Sequence, residues 1–142
     1  MLTKLLLHVD DDADEAFLLD RALRKTGLNW AFQHVPSGKA ALEYVTRVKI
    51  GEMARPDLMV LDVRMPLMSG LEVLEWMSNN AAEIPAVMLS SSDLLIDRLQ
   101  ARDLGSKGYF VKSADFADLL EFLRGWDETS LAAPVNAQSA QG

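Results

Sequence analysis

The feature that most limits what this chain can fold into is a rhythm, a short apolar run followed by an amphipathic stretch, repeated five times. Leu5-Leu6-Leu7-His8-Val9 is closed by acids and suits a strand buried on both faces. Asp12 with Glu15 reads as a capping box before Ala16, Leu19 and Leu23, which recur at helical spacing up to Gly27. Trp30 to Val35 is strand-like, Ser37 stands where a cap is needed, and Ala41, Val45 and Val48 mark one face of a second helix. A loop from Gly51 to Pro56 leads to Leu58-Met59-Val60-Leu61, an apolar run that ends at Asp62. Ser69 with Glu72 then makes a second capping box for a helix through Met77. Pro85 to Leu89 predicts a fourth strand, Asp93 to Leu104 a fourth helix stopped by Gly105, and Gly108 to Val111 a fifth strand. Phe116, Leu119, Leu120 and Leu123 give the last helix its i, i+3, i+4, i+7 stripe.

Strands that alternate with helices require crossover connections, and crossovers make a parallel sheet with helices on both faces. The expected fold is therefore α/β, a three-layer, doubly wound domain. A length of 142 residues suits one such domain. Residues 1–126 should form it, while residues 127–142 lack a sustained apolar period and are expected to be a mobile tail.

Several function classes are disfavoured by charge and composition. The net charge is −7 and no run of Lys and Arg occurs, so neither a nucleic-acid backbone nor an anionic membrane has an electrostatic footprint here. Cysteine is absent, which excludes disulfides, thiolate metal sites and Cys nucleophiles and fits a reducing compartment. The apolar run at the N-terminus is too short for a membrane span, and acids follow it without a small-residue cleavage site. A cytoplasmic location is the expectation.

In open α/β sheets ligands bind beyond the carboxyl ends of the strands. Those ends carry Asp10 and Asp11, Asp62, Ser90 and Lys112. Three carboxylates converging on one edge repel one another unless a cation sits among them, and an oxygen-only site beside phosphate suits Mg²⁺. Without the cation, one of the coupled acids should have a raised pKa, although the sequence does not say which. A carboxylate can serve as nucleophile and form an aspartyl-phosphate when positive charge and donors match the oxygens of the transferring group. Mg²⁺, the Lys112 ammonium and the Ser90 hydroxyl would supply these, which leaves Asp62 as the acceptor.

Four motifs in order resemble the receiver domain of bacterial response regulators, the CheY-like superfamily, over about Leu5 to Leu123. They are Val9-Asp10-Asp11, the run from Leu61-Asp62 through Met65-Pro66 to Ser69-Gly70, Met88-Leu89-Ser90-Ser91, and Gly108-Tyr109-Phe110-Val111-Lys112. The resemblance implies a flavodoxin-like (βα)5 fold with strand order 2-1-3-4-5. It implies that Asp62 is the phosphoacceptor, that Asp10, Asp11 and Asp62 hold Mg²⁺ together with the backbone carbonyl of Arg64, and that Lys112 binds the phosphoryl group. Ser90 and Tyr109 match the switch pair. The implied donor is a sensor histidine kinase or a phosphotransfer protein. The implied output is protein binding or homodimer formation on the face of the fourth helix, fifth strand and fifth helix.

Three departures from the family pattern stand out. Ser113 follows Lys112 where the family usually has a cis proline, which leaves open whether the Lys112-Ser113 peptide is cis. Ser69 replaces an Asp and still caps. The segment from Val48 to Arg55 is longer than usual, and with no output domain in the chain this is similar to the small stand-alone regulators associated with bacteriophytochrome kinases.

Structural readings compete at several positions. Asp12 is a helix cap, His8 a satisfied core residue, Tyr109 a strand aromatic as readily as a switch, and at least one of Ser90, Ser91 and Ser92 a cap for the fourth helix. Two other functions compete with the relay. A receiver-fold adaptor would bind partners without phosphorylation, a reading raised by Ser113. A Mg²⁺-dependent phosphohydrolase would use the Asp-x-Asp of Asp10 and Asp12, but the chain offers no segment for a substrate cap and no late acidic pair.

Overall fold

The apolar runs become the strands of one parallel sheet, and the computed structural model describes residues 3–80 and 82–126. Strands β1 (Lys4–Val9), β2 (Trp30–Val35), β3 (Leu58–Asp62), β4 (Ala86–Ser90) and β5 (Tyr109–Val111) alternate with helices α1 (Ala13–Thr26), α2 (Gly38–Lys49), α3 (Gly70–Asn79), α4 (Leu95–Asp103) and α5 (Ala117–Arg124). The strand order is β2-β1-β3-β4-β5, as the family resemblance implies, and every pairing is parallel, as the alternation of strands and helices predicts. The winding reverses between β1 and β3, so the crevice of the sheet opens where Asp10 and Asp62 stand.

Alternation along the strands sorts the side chains into two cores. Leu7, Val9, Met59, Leu61 and Met88 pack with Ala41 and Val45 of α2 and with Val73 and Met77 of α3. Leu6, Leu58, Val60, Val87 and Leu89 pack on the opposite face with Leu19 and Leu23 of α1 and Leu119 and Leu123 of α5. The central strands β3 and β4 are buried at every position, which is why they read as unbroken apolar runs. Trp126 is buried in the second core, and Trp76 packs partly against the first, so both serve helix packing.

The predicted caps form in full at α2 and α3, in part at α1 and not at α4. Ser69 and Glu72 form the complete capping box, so the Ser that replaces the family's usual Asp is a working cap. Ser37 accepts from Ala40 N–H at the start of α2. Asp12 accepts from the N–H groups of Asp14 and Glu15, but Glu15 does not reciprocate, because its carboxylate lies 3.8 Å from Lys112 Nζ. The expected serine cap on α4 is not formed. That helix starts at Leu95 with Leu94 in the cap position and no side-chain cap, Ser90 instead accepts from Ser92 N–H, and Asp93 pairs with Arg98. β4 is shifted one residue from its predicted span, since Pro85 has no N–H to give the ladder and Ser90 extends it. The proposed tail, residues 127–142, lies outside the described residues.

Gly70 fixes how α3 meets the sheet. Its N–H donates to Val63 O at 3.1 Å, and a Cβ here would be driven into the backbone carbonyl of Asp62 and crowd the Met88 methyl at 3.0 Å. Gly70→Ala should therefore cost roughly 3 kcal/mol in urea denaturation, an overpacking effect against backbone that cannot yield. Gly125→Ala, where nothing lies within 4 Å, should stay within about 0.5 kcal/mol.

Candidate functional site

The alternation that sorts the cores also brings the chemistry together. Asp10 shares a face with Leu6 and His8, Asp62 with Leu58 and Val60, and Lys112 with Phe110, so all three follow the side that packs on α1 and α5. Carboxylate oxygens of Asp10, Asp11 and Asp62 lie within 4.8 Å of one another. Lys112 Nζ stands 3.5 Å from Asp10 Oδ2 and 3.5 Å from Asp62 Oδ1. Its own backbone N–H donates to Ser90 O at 2.7 Å, which ties β5 to the end of β4 beneath the site. The Lys112-Ser113 peptide is trans, as is every described peptide bond, so the serine after the lysine takes the form ordinary for a non-proline residue.

Three carboxylates, Asp10, Asp62 and Glu15, face the Lys112 ammonium, with Asp11 beside them. Burial is the largest influence on Asp62 and, with Asp10 and Asp11, pushes its carboxyl up to about 6 against the opposing pull of Lys112 and the Arg64 N–H. Burial acts the same way on Asp10, but contacts from His8, the Asp12 N–H and Lys112 outweigh it and hold that carboxyl below its ordinary value. Lys112 loses basicity to burial and regains more from Asp62, Asp10 and Glu15, so it is held charged. The acid raised among the coupled set is thus Asp62, a point the sequence left open. The donor set fits a hard divalent cation: only oxygens converge, and Asp10 Oδ2 is a buried acceptor without a hydrogen-bond partner.

Ser90 is fully buried at the end of β4 and its Oγ accepts from Ser92 N–H at 3.1 Å. Tyr109 is half-buried, burial pushes its phenol up, and its hydroxyl donates to Ser92 O at 3.0 Å. The Arg98 guanidinium lies 4.9 Å from its ring centroid. Tyr109 therefore both packs in the strand and bonds to the loop that carries Ser90. Arg64 sends its guanidinium to Asp97 of α4 at 2.5 Å, an ion pair whose carboxylate is buried.

Some residues of the site were not legible in the sequence. Glu15 was absorbed into a capping box. His34 carried no signal beyond its strand, yet its Nε2 lies 2.7 Å from the Asp10 carbonyl. His8 is buried as expected but not satisfied: both ring nitrogens lack a hydrogen-bond partner, and Nε2 sits 3.5 Å from Asp10 Oδ2, longer than a well-formed bond. Burial outweighs that neighbour and lowers the imidazole pKa. An unpaired buried polar group costs on the order of 1–3 kcal/mol, which an apolar residue in this strand would avoid.

A doubly wound parallel sheet with acids at its switch point and a lysine on the last strand is the architecture of a signalling receiver. The chain belongs to the response regulator receiver domain family, whose model matches residues 6–124. It is 30% identical over 134 residues to the probable methanogenesis regulatory protein FilR2 of Methanothrix harundinacea, covering 88% of this chain and 86% of that one. It is 33% identical to the response regulator MprA of Mycobacterium leprae over 84% of this chain but 49% of MprA, so it spans about half the length of that relative. Among solved structures, the bacteriophytochrome response regulator RtBRR superposes with a TM-score of 0.73 at 28% identity, covering 95% of this chain and 96% of that one. TrrA from Thermotoga maritima, in complex with Mg²⁺-BeF, superposes at 0.71 with 26% identity over 86% and 97%. No helix among the described residues is long and apolar enough to cross a membrane.

The raised Asp62 carboxyl has a consequence for stability. Between its ordinary value of 3.8 and about 6, the folded chain keeps a proton that the unfolded chain has released, so this group lowers stability as pH rises through that window. In chelator, Asp62→Asn should be more stable than wild type by on the order of 2 kcal/mol at pH 8, with the difference shrinking towards zero near pH 4. Denaturation of both proteins across that range checks it.

Proposed function

We propose that the chain accepts a phosphoryl group on Asp62 from the phosphohistidine of a sensor histidine kinase or phosphotransfer protein, and signals by changed protein contacts. The observation that carries the proposal is the convergence of Asp10, Asp11 and Asp62 within 4.8 Å, with Lys112 Nζ 3.5 Å from the acceptor carboxylate. In the transfer, the donor's P–N bond breaks, a P–O bond forms to an Asp62 oxygen, and the leaving imidazole takes up a proton.

Asp10, Asp11, Asp62 and the backbone carbonyl of Arg64 would hold the divalent cation, with Mg²⁺ as its identity. When bound, that ion neutralises charge developing on the transferred group and aligns it with the nucleophile. Lys112 supports a second phosphoryl oxygen with a fixed ammonium, and the Ser90 hydroxyl a third. The added charge of about −1.5 to −2 would draw on Ser90 and loosen the bond from Tyr109 to Ser92 O. That rearrangement favours one placement of α4, β5 and α5, the face on which a partner or second copy would dock. The likeness to TrrA with Mg²⁺-BeF supports the cation, and the likeness to RtBRR supports a bacteriophytochrome-type kinase as donor. A chain of this charge working beside such kinases fits the cytoplasm and no direct contact with nucleic acid.

Incubation with acetyl phosphate and Mg²⁺ should add the mass of one phosphoryl group to the intact protein, and chelator should prevent it. Asp62→Asn should gain nothing, and Lys112→Ala should react slower by about 100-fold. A modified Asp62→Asn protein would overturn the assignment of the acceptor.

A further inference from the structure

Asp10 is the most deeply buried member of the acidic cluster, and two histidines attend it. The strand register sets His8 of β1 opposite His34 of β2, with ring centroids 5.9 Å apart. Strand alternation puts His8 on the same face as Asp10, two residues on. His34 Nε2 lies 2.7 Å from the backbone carbonyl of Asp10, and the Asp10 N–H donates to Val35 O at 3.2 Å, so β2 contacts the backbone on both sides of the Asp10 Cα. At the carboxylate, Oδ1 accepts from Asp12 N–H at 2.9 Å. Oδ2 has no hydrogen-bond partner and faces two nitrogens at 3.5 Å, His8 Nε2 and Lys112 Nζ.

Lys112 is shared with Asp62 and Glu15, whereas the described contacts of the His8 nitrogens lead to Asp10 alone. A fully buried imidazole with neither nitrogen bonded is a poor core residue, and among the described residues the acid its nitrogen approaches is Asp10, at the site. Ligating carboxylates and imidazoles are commonly oriented by such outer partners, whose loss weakens metal binding by about 10- to 100-fold.

We infer that His8 and His34 are positioning residues for Asp10, His34 by fixing its backbone carbonyl and His8 by steering Oδ2 so that the carboxylate presents its free lone pairs to the cation. This rests on the reading of the acidic cluster as a divalent-cation site. His8 reaches the cation only through Asp10.

The test separates positioning from packing because the two move in opposite directions. His8→Phe removes a buried unpaired polar group, so its melting temperature should rise, while its affinity for Mn²⁺, read by electron paramagnetic resonance of the free ion, should fall by about tenfold. His8→Gln, whose amide N–H can occupy the Nε2 position, should bind within threefold of wild type. If His8→Phe does not fold, His8→Leu carries the same expectation. Mn²⁺ binding by the apolar variant equal to wild type would overturn the inference. Asp10→Asn distinguishes the two levels: loss of binding there with none in His8→Phe sinks this inference alone, whereas a wild type that binds no Mn²⁺ sinks the cation reading with it.

Discussion

Everything at the active edge of this sheet follows from an electrostatic conflict that the fold imposes. Parallel pairing ends β1 and β3 side by side, and the same alternation that buries Leu6 and Leu58 points Asp10 and Asp62 into one space. Two unit charges about 4 Å apart interact by roughly 4 kcal/mol at the dielectric of a protein surface. Lys112 cannot neutralise all its acidic neighbours, so the strain settles on one of them. It settles on Asp62, because Asp10 accepts from the Asp12 N–H and has His8 close by, while Asp62 depends on the shared ammonium and the Arg64 N–H. The acid that is least comfortable as an anion is the one in the middle of the sheet, where a group arriving with its own cation would relieve it.

Most of the fold could be read from the chain because its local signals agree with its tertiary ones. β3 and β4 are short and apolar up to their last residues, Asp62 and Ser90, and the Ser69 to Glu72 box marks the start of α3 without ambiguity. The strand-end acids and Lys112 were legible for the same reason: once strands are placed, their last residues are placed too. The misses arise where a side chain is claimed by a distant partner. Glu15 turns from its own helix cap to Lys112, Asp93 turns to Arg98 rather than starting α4, and Arg64 crosses to Asp97. No periodicity encodes those choices, since local and long-range partners compete for one carboxylate. His8 looked like any residue of an apolar strand, and only the position of Asp10 Oδ2 shows that its ring has an errand.

The loop after β4 and the helix that follows are held differently from the other side of the site. α4 begins without a side-chain cap and presents Leu94, Leu95 and Ile96 to solvent. Ala101 reaches the core, but the helix's other anchors are polar: Arg64 to Asp97, Arg98 against Tyr109 and Asp93, and the Tyr109 hydroxyl on Ser92 O. Such contacts have discrete alternatives and can be exchanged one for another, unlike an interdigitated apolar core.

Gly70 supplies the counterpart. With no side chain between them, the first turn of α3 rests directly on the peptide of Asp62 and is bonded to Val63. The Asp62 peptide and the helix are thereby held together with no slack between them. Around Asp62, one flank is packed backbone, and the other is the start of α4 with its exchangeable polar contacts. The smallest residue of α3 thus decides which flank of the site is rigid.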